Sequence, residues 1–210
     1  MYHEFHPELK INKPLVFERM RVSQTSKIYH KVNQLYENLV PIVKQLVDYQ
    51  AVYALEESTL VFEDALLNDC THHVFCFVTV GQPICDEVNR LFEVSNFLEG
   101  YILNEMANEV ILDATNQLYA HLKTNLKAQG LILTKRYSPG ECHLSMDYQK
   151  TILGVLQKYS SIQASLTSAF MIKPEKSTLF LYGADANITE TDVDFDCKAC
   201  PSLNCPYRRI

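Results

Sequence analysis

The run His73-Val-Phe-Cys-Phe-Val-Thr-Val80, closed by Gly81, decides what kind of domain this is. Its residues are almost all β-branched or aromatic, the composition of a strand. Polar residues do not alternate along it, so both faces are apolar and the strand belongs inside a sheet rather than at its rim. Pro83 follows at once and suits the first turn of a helix, where its missing N–H is not needed. A buried strand feeding a helix within three residues is the core from which the rest of the chain is placed.

Downstream, the Pro83 helix runs to the mid-nineties, and a long helical pattern from about Phe97 to Ala128 ends at Gly130 as a C-cap. Leu131 to Lys135 reads as a strand. Met146 to Tyr159 is amphipathic, with Ile152, Leu153, Val155 and Leu156 on one side. Thr178 to Gly183 is a further strand, reached through the polar corner Lys173-Pro-Glu-Lys-Ser177, and residues 184–196 are acidic and expected to be exposed. Upstream, Ala51 to Phe62 reads as two short strands around Glu56-Glu57-Ser58. A helix capped within Val22-Ser-Gln-Thr-Ser26 is expected to run to about Gln50, kinked at Pro41. The first twenty residues mix His, Pro and charge and are expected to wrap the surface.

This order lacks regular β-α-β alternation and any Gly-rich phosphate loop, which excludes a doubly wound nucleotide fold. The expectation is one α+β domain, with an antiparallel or mixed β-sheet packed by long helices. Residues 1–69 form an N-terminal helical segment of that domain, 70–196 its core, and 197–210 a Cys-rich tail.

Composition narrows the function. The chain has 210 residues, 47% of them apolar, and a net charge of −6, which argues against nucleic acid or an anionic membrane as a partner. No apolar run is long enough to span a bilayer. The start, MYHEFHPELKINK, has no basic-then-apolar signal pattern, so the expected location is cytoplasmic. Seven cysteines without an export signal are not a disulfide set. Cys76, within the central strand, and Cys70 and Cys85 read as buried, inert thiols.

Two stretches carry chemistry. In Lys135-Arg-Tyr-Ser-Pro-Gly-Glu-Cys142 a strand delivers Arg136 to a Pro-Gly turn. The guanidinium is a permanently charged planar fork suited to a carboxylate or phosphate, and Gly140 lets backbone approach a ligand closely. The second stretch is Cys197-Lys-Ala-Cys200-Pro-Ser-Leu-Asn-Cys205. Thiolates at this spacing select zinc or an iron–sulfur cluster, with Cys142 the favoured fourth ligand and His143 an alternative. The acidic groups Glu99, Glu105, Glu109 and Asp113 of the long helix read as a solvated face. No Ser/His/Asp triad, HExxH or P-loop is present.

Three ordered landmarks carry a resemblance: FVTVGQPICDEVNRL, LKAQGLILTKRYSPGEC and FMIKPEKSTLFLYGA. With the Cys tail, the chain over roughly residues 70–210 resembles the activation domain of vitamin B12-dependent methionine synthase, especially its short stand-alone members. The second landmark matches that family's Arg-x-x-Pro-Gly-Tyr signature, except that Glu141 stands in place of the Tyr. The resemblance implies S-adenosylmethionine as cofactor, with Arg136 on the methionyl carboxylate and the backbone of Tyr137, Ser138, Pro139 and Gly140 on adenine and ribose. Glu141 offers a carboxylate to the sulfonium. It further implies an accessory role in corrinoid-dependent methyl transfer, the reductive reactivation of a B12 protein. Cobalamin would sit on a partner, a corrinoid-binding protein or the methionine synthase modules. Cys142, Cys197, Cys200 and Cys205 would hold iron–sulfur or zinc. The alternative is a non-catalytic, metal-stapled binding or regulatory module without the S-adenosylmethionine site.

Overall fold

The computed structural model describes residues 1–141, 144–191, 194, 195, 202, 205, 207 and 208. In chain order the elements are β1 (Tyr2–Phe5), α1 (Lys13–Arg19), α2 (Tyr29–Leu46), β2 (Gln50–Glu57), α3 (Ala65–Asp69), β3 (His72–Thr79), α4 (Gln82–Glu93) and α5 (Phe97–Lys127). These are followed by β4 (Ile132–Leu133), α6 (Tyr148–Gln157), β5 (Ser165–Leu166), β6 (Ile172–Lys173) and β7 (Ser177–Asp185). The main sheet has the order β1-β2-β3-β7-β4 and every pairing in it is antiparallel. The fold is thus the α+β arrangement expected, and β3 is its central strand.

Alternation along β3 builds two cores. Phe75 and Phe77 point to one face, where they meet Ile152, Val155 and Leu156 of α6. Val74, Cys76 and Val78 point to the other, against Leu118, Leu122 and Leu126 of α5. Each such leucine, fully buried, contributes about 1.5–3 kcal/mol. A third core joins α1, α2 and α4 to the N-terminal half of α5. Helix α5, 31 residues long, therefore serves two cores in succession. Gly130, at φ +77, lets the chain turn out of α5, and Leu131 N then bonds Leu126 O at 2.9 Å.

Several local expectations change. Residues 1–20 do not merely wrap the surface: β1 pairs with β2, and α1, capped by Asn12 with Pro14 in its first turn, buries Val16 and Phe17. Between Ala51 and Phe62 there is one strand rather than two. The chain leaves β2 at Glu57, and Asp64 then caps α3 by accepting from Leu66 N and Leu67 N. Ser23, Thr25 and Ser26 bond one another rather than capping α2, which starts later, at Tyr29. Pro41 stays inside that helix.

Candidate functional site

Beyond β4, Tyr137 continues along β7 through a single bridge to Leu181, with both backbone bonds at 2.9 Å. This fixes the alternation of the turn. Tyr137 falls into the α6-side core and its hydroxyl donates to Asp64 Oδ1 at 3.1 Å. Burial and the Asp64 charge push its pKa well up. Arg136 projects to the opposite side, over the Phe180 ring at 5.4 Å and the Phe195 ring at 5.6 Å. Gly140, at φ +86, closes the turn, and a Cβ there would collide with Met146 Sδ.

Arg136, Ser138, Pro139 and Glu141 line a cleft of about 450 Å³, within the usual range of small-molecule sites, roughly 300–1,000 Å³. Tyr137 and Gly140 are not among its lining residues. Helix α5 supplies Asn108 and Thr115, α6 Gln149, the entry to β7 Lys176, the start of β7 Ser177, and the C-terminal tail Tyr207. A larger open groove of about 850 Å³ lies near Gly81, Gln50 and Lys173. It contains neither the Arg136 turn nor the polar network described next, so the smaller cleft is the candidate.

Arg136 does not stand free. Its Nη1 lies 3.5 Å from Asp194 Oδ2, and its backbone N–H donates to Asp194 O at 2.7 Å. Tyr182 O–H donates to Asp194 Oδ1 at 2.7 Å. Burial raises the Asp194 pKa, opposed by the Arg136 charge and the Tyr182 bond. The acidic stretch is thus not wholly exposed: Ala184 and Asp185 are buried and Asp194 is half-buried.

The network is the part of the site that sequence reasoning missed. Lys176 Nζ donates to Asn104 Oδ1 and Asn108 Oδ1, both at 2.7 Å. The two amide groups are oriented by Glu105 Oε1, which accepts from Asn104 Nδ2 and Asn108 Nδ2 at 3.1 Å. Asn108 Nδ2 also donates to Tyr207 O–H at 2.9 Å. Desolvation lowers the Lys176 pKa, opposed by the charges of Glu105 and Glu175. The acidic face of α5 is therefore solvated only in part: Glu105 is buried here and Glu109 is buried against Arg19, while Glu99 and Asp113 are half-buried. The sequence signal was present. Asn104, Glu105 and Asn108 share one turn of a helix whose neighbours Met106 and Ala107 are fully buried.

Burial raises the pKa of Cys76, Cys85 and Cys70, the last to about 11, as inert buried thiols require. Of the four candidate metal ligands, Cys142, Cys197 and Cys200 lie outside the described residues, as does His143. Cys205 is half-buried, and its Sγ accepts from Tyr207 N at 3.4 Å. Among the described residues no group of three or more His, Cys, Asp or Glu is placed to hold a metal ion, and no helix is long and apolar enough to cross a membrane.

Fold and cleft together define an α+β domain with a polar cleft beside the Arg136 turn and the start of β7. The comparisons add a structural likeness. The crystal structure of the MetH reactivation domain bound to AdoHcy superposes with a TM-score of 0.67, covering 91% of this chain and 80% of that one, at 11% sequence identity. At that identity the likeness is one of fold. No family model and no curated protein matches the sequence.

Proposed function

We propose that this chain binds S-adenosylmethionine in the cleft between Arg136 and Lys176 and serves as an accessory protein in the reductive reactivation of a B12 protein. The observation that carries this reading is the cleft itself, built on a fold shared with a domain whose crystal structure holds AdoHcy. Its walls carry both signs of charge, Arg136 and Lys176 with Glu141 and Glu175. That mixture suits a ligand whose tail has a carboxylate beside an ammonium and a sulfonium. Ser138, Pro139 and Glu141 form the side of the cleft nearest the turn; Tyr137 and Gly140 contribute by shaping it. The partner is a corrinoid-binding protein or methionine synthase module in the cytoplasm, and the cobalamin stays on that partner. The chain is thus a component of a methyltransferase system.

The cysteine tail fits a metal staple of zinc or iron–sulfur. Its support is the ligand spacing, together with the N–H donated to Cys205 Sγ, since hydrogen bonds to sulfur tune thiolate-held centres.

Two observations favour a second reading, a regulatory module without cofactor. Arg136 already faces a carboxylate of its own chain, and Glu141 replaces an aromatic. Thermal unfolding separates the two. Ligand binding to the native state at 100 times Kd adds about 2.7 kcal/mol, so S-adenosylmethionine raises the wild-type midpoint by roughly 5 °C or more. It leaves Arg136→Ala, whose cleft wall is gone, unmoved. An unmoved wild type supports the regulatory module.

A further inference from the structure

Near the cleft, two arginines are matched by carboxylates. Arg19 pairs with Glu109, and Arg136 pairs with Asp194 between two aromatic rings. Lys176 differs. Among the described residues it has no carboxylate within ion-pair distance; its two partners are neutral amide oxygens. An ammonium has three protons, so one remains after Asn104 and Asn108, and the side chain lines the cleft. The nearest balancing carboxylate in the network, Glu105, acts one step removed, by orienting the two amides.

Amide oxygens position an ammonium without neutralising it, and partial burial has already cost it hydration. Such a group gains most from an anion that arrives with the ligand. A structural brace for the start of β7 would account for the two amide bonds. It would not require the lysine on the cleft wall, nor leave it without a direct carboxylate partner among the described residues.

We infer that Lys176, a residue outside the Arg136 turn, is the group that receives the ligand's carboxylate. This rests on the S-adenosylmethionine reading above and deepens it: Arg136 forms the wall, reached by a second carboxylate only in exchange with Asp194, and Lys176 supplies the open charge. Glu141 and Glu175 on the same cleft disfavour a dianion such as a phosphate and suit the cationic end of an amino-acid tail. A single carboxylate is therefore the matching anion.

The test compares S-adenosylmethionine with its decarboxylated form, which keeps the adenosine, sulfonium and amine, by calorimetric titration into the full chain. Wild type binds the carboxylate-bearing ligand about 10- to 100-fold more tightly, the worth of a charge-assisted hydrogen bond. Lys176→Met loses that difference between the two ligands. Lys176→Gln, which keeps a donor for the two asparagines, loses it too, and serves if the methionine variant does not fold. Retention of the difference in the folded lysine variants overturns the inference and leaves the binding site standing. Equal wild-type affinity for both ligands does the same. Binding of neither ligand by wild type overturns the S-adenosylmethionine reading, and this inference with it.

Discussion

Arg19 and Arg136 look alike in sequence, each an arginine close to the end of a short element, but their surroundings differ. Arg19 and Glu109 are close together, with side chains 5% and 4% exposed, and the Tyr207 ring lies 4.8 Å from the guanidinium. Arg136 and Asp194 are 3.5 Å apart, with side chains 15% and 12% exposed. Only the second arginine lines the cleft. The difference teaches that burial of a charge does not by itself mark function. A close, dry pair pins α1 to α5, whereas a looser one beside an open volume can rearrange around a ligand.

The largest expected effect breaks the first pair. Arg19→Met leaves Glu109 charged in a dry site and lowers stability by about 3–5 kcal/mol, read as a shift in the urea midpoint. Asp194→Asn has a smaller effect, about 1 kcal/mol, because the amide still accepts from Tyr182 and is uncharged. Equal losses in the two variants would erase the distinction between the pairs.

The smallest effect is one of pH. Burial holds the Asp194 pKa above 3.8 in the folded chain. As pH rises from that value, the unfolded chain releases the proton first, so the folded state binds more protons and stability falls across the window. Asp194→Asn removes this part of the slope, and urea titrations over the acidic range measure it. An unchanged slope would show that the Arg136 charge outweighs burial at Asp194.

The fold was legible where its cause is local. The apolar run of β3, Pro83 behind it and Gly130 after α5 act within a few residues, and each is placed as the sequence implied. β1 and α1 were missed because their stabilising partners, β2 and α5, lie far along the chain. Edge pairing leaves little pattern in four residues. The Arg136 turn was legible as a turn, but its pairing with Asp194 closes over nearly sixty residues of separation and cannot be read from spacing. The same holds for Lys176. Its setting depends on Asn104, Glu105 and Asn108 facing a strand that starts well beyond α5, and a polar cluster on a helix reads as solvated until its partner is known.

The most direct test of the account is a crystal structure of the chain with AdoHcy bound. The account predicts the ligand in the cleft lined by Arg136, Ser138, Gln149 and Lys176, with its carboxylate at Lys176 Nζ. A ligand seated instead in the larger groove by Gly81 and Lys173, or an empty cleft at saturating ligand, would contradict it.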